Sequence, residues 1–159
     1  MKVKNMKVLI IYDSKTGNTE KMATAIVEGA KETGAEVTIK KIGDPFPLSL
    51  LEESDGVAFG SPTRYADVTN EMKDFLTHVA DYAKMGKIKM KGKTAGIFGS
   101  YGYDGAWVME DRFKGYVEAI GYKVVLKVYV KVDTELKTRL KETLAECRAW
   151  GKEFAKSLK

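Results

Sequence analysis

Cysteine, histidine and proline are scarce in this chain of 159 residues, at one, one and three, and glutamine is absent. A lone Cys147 excludes a disulfide framework and any multi-cysteine metal site. A lone His78 excludes a multi-histidine metal cage and argues against Ser/His hydrolase chemistry. No stretch of about 18 apolar residues exists, so no membrane span is expected. The opening "MKVKNMKVLIIYDS" runs straight into a strand-like segment. It lacks the apolar region and small-residue cleavage site of a signal peptide, which predicts a cytoplasmic protein. No repeat, low-complexity tract or linker interrupts the chain. The length suits one domain, residues 1–159, with a real core. Missing Gln and sparse Asn, set against abundant Lys and Glu, are the bias of proteins from hot environments, so a thermophile source is expected.

What is present alternates between apolar runs and amphipathic ones. Residues 6–13, "MKVLIIYD", read as a buried strand, and a helix follows over about 18–33 with Met22, Ala23, Ile26, Val27 and Ala30 at helical spacing. Further strands are expected at "GAEVTIKKI", at 56–60, at "KTAGIFGS" and at "YKVVLKVYV", the last as one piece. Further helices are expected as a short turn within "PLSLLEESDG", and over 70–84, about 106–119 and about 134–158. Apolar strands alternating with helices imply a parallel sheet covered on both faces, and right-handed crossovers make it doubly wound. Cys147 falls on the stripe Leu136, Leu140, Leu144, Cys147, Phe154 and is expected in the core. His78 lies off the apolar face of its helix and is expected in solvent.

In such sheets ligands bind beyond the carboxyl ends of the strands. Three segments fall there: 14–19, 61–69 and 100–105. All are rich in Ser, Thr, Gly or Tyr. The first, "SKTGNT", opens a helix, where unpaired amides and the helix dipole favour an anion. Ser14, Thr16 and Thr19 add hydroxyls, and Gly17 lets the backbone approach closely. A simple N-cap needs only one such residue. A phosphate group is therefore the expected ligand. The loop is neither a G-x-x-x-x-G-K-[ST] nor a G-x-G-x-x-G motif, so a nucleoside triphosphate or dinucleotide fingerprint is absent.

"IIYDSKTGNTEKMA" resembles the flavodoxin signature at Ile10, Ile11, Tyr12, Ser14, Gly17, Thr19 and Ala23. "FGSPTRYADV" resembles the family's second flavin loop. "FGSYGYDGAWVMEDRFKGYVEAIGYKVV" resembles the third loop of the flavodoxin domains in flavodiiron proteins. The resemblance implies a five-stranded sheet of order 2-1-3-4-5 and an FMN cofactor. It implies that Ser14, Lys15, Thr16, Gly17, Asn18 and Thr19 hold the phosphate. Ser61, Pro62, Thr63, Arg64 and Tyr65 would lie beside the ribityl chain and one flavin face. Ser100, Tyr101, Gly102, Tyr103 and Gly105 would meet the other face and the pyrimidine edge, with Tyr65 and Tyr103 as stacking rings.

The implied function is an electron carrier between redox proteins of ferredoxin, rubredoxin or reductase type, acting as a monomer or weak dimer. The alternative is a flavodoxin-like NAD(P)H-dependent quinone or flavin reductase, whose second loop "PTRY" also fits. Family members place Gly or Asn in the second loop where a peptide flips toward the flavin. Residues 63–67 contain neither, so a flip into φ > 0 is expected to be costly, with a modest yield of one-electron-reduced flavin. Arg64 is expected to favour anionic reduced flavin if it lies close.

The net charge of +5 invites a nucleic-acid reading. However, Lys2, Lys4, Lys7, Lys87, Lys89, Lys91, Lys93 and Lys123 precede strands, at the pole opposite the ligand. No aromatic interleaving supports nucleic-acid binding there.

Overall fold

Strand periodicity and helix signals produce the following order in the computed structural model, which describes residues 5–90, 92–102 and 105–158. β1 (Lys7–Tyr12) leads to α1 (Asn18–Lys31), and β2 (Glu36–Lys41) to α2 (Ser49–Glu53). β3 (Gly56–Pro62) is followed by α3 (Asn70–Lys84), and β4 (Thr94–Tyr101) by α4 (Ala106–Glu118). The chain closes with β5 (Lys123–Val124), β6 (Tyr129–Val132), α5 (Glu135–Thr138) and α6 (Leu140–Lys156). Every strand pairing is parallel, in the order β2-β1-β3-β4-β5, with β6 also on β4. Val8 is opposite both Val37 and Gly56, and Gly56 is opposite Thr94. This is the doubly wound α/β sheet that the flavodoxin resemblance implied.

Two cores sandwich the sheet. On one face Leu9, Ile11, Val57, Phe59 and Ile97 meet α3 and α4 through Met72, Leu76, Phe113 and Val117. On the other Val8, Ile10, Ala58 and Phe98 meet α1 and α6 through Met22, Ile26, Cys147, Trp150 and Phe154. The strand residues alternate between the faces, as period two demands. β3 is buried at every residue. α1 and α6 cross at backbone contact. A Cβ on Gly29 would lie 1.8 Å from the Arg148 carbonyl oxygen, and one on Gly151 2.2 Å from that of Ile26. Cys147 is buried and its thiol is pushed up to about 12, chiefly by burial. His78 is exposed and packs on the Tyr82 ring, with centroids 4.5 Å apart.

Two elements differ from the sequence expectation. The fifth strand is not one piece. β4 advances three residues between Ala95 and Phe98 while the edge strand advances five, from Val124 to Tyr129. The surplus bulges out at Leu126, which takes φ 64°. Val125 and Leu126 both turn to the α6 face, and Trp150 Nε1 donates to the Lys127 carbonyl at 3.3 Å. Two neighbours on one face break strand alternation, and the edge leaves the ladder between β5 and β6. The last helix also breaks, at Arg139 (φ −130°, ψ 44°), so Leu140 is half-exposed instead of core. Of the basic residues assigned to the far pole, Lys7 and Lys123 open strands and Lys93 precedes one. Lys2, Lys4 and Lys91 lie outside the described residues.

Candidate functional site

β1, β3 and β4 end side by side, and the loops that follow converge there. In the first loop Gly17 takes φ 93°, a conformation natural only to glycine, and launches α1. Ser14 Oγ accepts hydrogen bonds from the amides of Gly17 (3.1 Å) and Glu20 (3.4 Å). A hydroxyl has two acceptor sites and one donor. Both acceptor sites of Ser14 are filled, so its proton remains to be donated outward. The amides of Asn18 and Thr19 have no acceptor within the helix, and the dipole adds positive potential. Thr16 is exposed at the tip. Thr19 is only 1% exposed, and its Oγ1 lies 2.9 Å from Ser100 Oγ. One proton serves that contact, and the other is left for a further acceptor.

Lys15 lies elsewhere than a phosphate-only role requires. Its ammonium sits 3.0 Å from Glu71 and 3.6 Å from Asp13. The hydrogen bond to Glu71 raises the Lys15 pKa and lowers that of Glu71. Asp13 is the linchpin that sequence reasoning missed. It is buried, accepts the Ser14 amide at 2.9 Å, and accepts the Thr69 hydroxyl at 2.5 Å. Thr69 in turn caps α3 by accepting the Met72 amide. Loop one is thereby locked to the start of α3.

In the second loop, Ser61 is fully buried, donates to the Pro62 carbonyl at 2.8 Å and accepts the Thr69 amide at 3.1 Å. The amide and hydroxyl of Thr63 both reach the Ser100 carbonyl at 2.9 Å. Then comes a tight turn. Arg64 N donates to Asp67 O (2.7 Å) and Asp67 N to Arg64 O (3.0 Å). The central residues Tyr65 and Ala66 take φ 51° and 59°. Two consecutive left-handed residues make a type I′ turn, normally the place for Asn and Gly. Each non-glycine residue there costs about 1–2 kcal/mol. The sequence leads one to expect φ > 0 to be costly in a loop without Gly or Asn, and here the cost falls on Tyr65 and Ala66. The turn already occupies that region. The ring of Tyr65 is 99% exposed.

In the third loop, Ser100 is buried, and Tyr101 accepts the Asp133 amide at 2.7 Å. Gly102 is exposed. Gly105 takes φ 80° at the start of α4, and a Cβ there would lie 3.2 Å from that of Ala66. The second and third loops therefore touch at Ala66 and Gly105. Tyr103 lies outside the described residues. Among the described residues, buried Asp133 Oδ1 and Tyr122 OH have no hydrogen-bond partner.

The three loops form one connected rim through Thr19, Ser100 and Thr63. A pocket of about 350 Å³ opens on the α3 side of the turn, lined by Lys15, Arg64, Tyr65, Asp67 and Arg112 among others. Outward donors at the first loop fit a phosphate. The exposed Tyr65 ring fits the face of a flat heterocycle. By these two observations the residues present fit FMN. Among the described residues no group of three or more His, Cys, Asp or Glu side chains could hold a metal. Nor is any helix among them long and apolar enough to cross a membrane.

Comparison with known proteins bears on the same region. The family model described as Flavodoxin matches residues 10–150. A flavodoxin of Clostridium saccharobutylicum is 38% identical over 91 residues, which cover 57% of this chain and 56% of that protein. An NAD(P)H dehydrogenase (quinone) of Archaeoglobus fulgidus is 30% identical over 118 residues, covering 59% of this chain and 61% of the relative. The chain thus spans little more than half the length of these curated relatives. A solved flavodoxin from the domain Archaea superposes with a TM-score of 0.77 at 27% identity, over 96% of this chain and 99% of that one.

Proposed function

Because this chain belongs to the flavodoxin family, whose members bind FMN, we propose that it is an FMN-containing electron carrier, one domain over residues 1–159. The observation that carries the reading is the first loop, where Ser14 has both acceptor sites filled and offers only its proton. Such a loop favours a phosphate and disfavours a cation. When bound, FMN supplies the redox chemistry, taking up two electrons and releasing them singly.

The chain binds and orients. Ser14, Lys15, Thr16, Gly17, Asn18 and Thr19 would hold the phosphate, Lys15 from its place beside Asp13 and Glu71. Ser61, Pro62, Thr63, Arg64 and Tyr65 flank the ribityl chain and one ring face. Ser100, Tyr101, Gly102, Tyr103 and Gly105 would flank the other. No side chain need act as acid or base. The partners are redox proteins of ferredoxin, rubredoxin or reductase type. The protein works in the cytoplasm as a monomer or weak dimer.

A second reading has one observation behind it: a relative in Archaeoglobus fulgidus is an NAD(P)H dehydrogenase (quinone). Under it this chain would oxidise NAD(P)H itself. Anaerobic mixing with NADH or NADPH separates the two. A carrier is bleached slowly by the nucleotide and quickly once a reductase or ferredoxin-type donor is added. Fast, saturable NAD(P)H oxidation in the presence of a quinone would favour the enzyme.

A further inference from the structure

The turn at Arg64–Asp67 is strained, yet it is held from outside at several points. Tyr116 OH donates to Asp67 Oδ2 at 2.9 Å, and the Val68 amide donates to Oδ1 at 2.8 Å. Lys73 and Arg112 lie 3.7 and 3.9 Å from the same carboxylate. Arg112 Nη1 also donates to the carbonyl of Ala66, a left-handed residue, at 3.3 Å. The Ala66 side chain rests on Gly105, where any Cβ would press into it. α3 and α4 therefore grip a turn whose own residues disfavour it.

We propose that Asp67 is a positioning residue: held by Tyr116 and Arg112 of α4, it keeps Tyr65 and Ala66 left-handed before any ligand arrives and so presets Tyr65 as a wall of the ligand site. Without the grip, Tyr65 and Ala66 relax toward φ < 0, where L-residues are at ease. The Tyr65 ring then loses its fixed direction. Side chains of α3 and α4 oppose this, because the turn contains no glycine to accept φ > 0 unaided. A glycine at position 66 should make the grip less necessary. The effect on ligand affinity rests on the FMN reading, whereas the conformation of the turn does not.

The test compares the wild-type chain, Tyr116→Phe, Ala66→Gly and the double variant. Backbone couplings and chemical shifts report φ at residues 65 and 66 in the ligand-free protein. Titrations with FMN and with riboflavin, and thermal melts, run alongside. In Tyr116→Phe the couplings should move toward averaged values. Both ligands should weaken by the same factor, about tenfold or more, for loss of one hydrogen bond to a carboxylate. In the Ala66→Gly background that factor should shrink by half or more. Unchanged couplings, an equal loss in both backgrounds, or a lower Tm with affinities intact would each overturn the proposal. If Tyr116→Phe does not fold, Arg112→Met removes the bond to Ala66 from an exposed position and is read the same way. If the wild type binds neither flavin, the FMN reading fails, and the couplings alone decide whether α4 holds the turn.

Discussion

Replacing Ser14 by alanine separates the two tasks of the first loop. Its Oγ receives the Gly17 and Glu20 amides, so alanine removes a cap-like acceptor ahead of α1, whose N-cap is Gly17. Loss of such a cap costs about 0.5–2 kcal/mol of stability. The same change deletes the outward hydroxyl proton. A hydrogen bond to a charged group is worth about 1.5–3 kcal/mol net. With tenfold per ~1.4 kcal/mol, FMN should bind roughly 10- to 150-fold more weakly. Riboflavin has no phosphate and should lose only the small part that reflects a loosened loop. The assay is a pair of fluorescence titrations with FMN and riboflavin, with a thermal melt of the ligand-free protein. Thr16→Ala is the companion, since Thr16 is exposed at the loop tip and its truncation should lower FMN affinity with little effect on Tm. Equal weakening of FMN and riboflavin, or no weakening of either, would refute the assignment of this loop to phosphate.

Gly29→Ala should destabilise sharply, because its Cβ would sit 1.8 Å from the Arg148 carbonyl oxygen. Overpacking of about 3 kcal/mol corresponds to a Tm loss near 6–12 °C at ~2–4 °C per kcal/mol, readable in a thermal melt. Cys147, buried with its thiol pushed up to about 12, should resist thiol reagents at pH 8 in the native state and react only on unfolding. The Glu146 carboxyl is held below its ordinary range, first by its hydrogen bond to Lys131. Its stabilisation is therefore complete above the unfolded pKa of about 4.3 and is lost as pH falls through the lower native value. Glu146→Gln should flatten the acid limb of a stability profile by less than ~1 kcal/mol, because the side chain is half-exposed.

The layers of the fold were legible because each strand is an apolar run and each long helix has a clean stripe. The edge was not. "YKVVLKVYV" has the composition of a continuous strand, and nothing local shows that Val125 and Leu126 share a face. That arrangement follows from Trp150 reaching Lys127 from a distant helix. The break at Arg139 was hidden likewise, since its flanks have ordinary helical residues. At the site, hydroxyl and glycine density marked the three loops. What escaped was the wiring between them: Asp13 to Thr69, Thr19 to Ser100, and Asp67 to Tyr116, contacts spanning 49 to 81 residues of chain. Asp13 and Asp67 look like solvent carboxylates in sequence, and only tertiary partners reveal them as anchors. The same wiring defeats a propensity argument at Tyr65 and Ala66, which tertiary contacts hold in a conformation that neither residue favours alone.

The central claim is that these loops form an FMN site, and titration of the flavin-free protein with FMN tests it most directly. The account predicts saturation at one FMN per chain, with a flavin absorption spectrum perturbed by the Tyr65 ring and clearly tighter binding than for riboflavin. Failure to bind FMN, or binding no tighter than riboflavin, would contradict it.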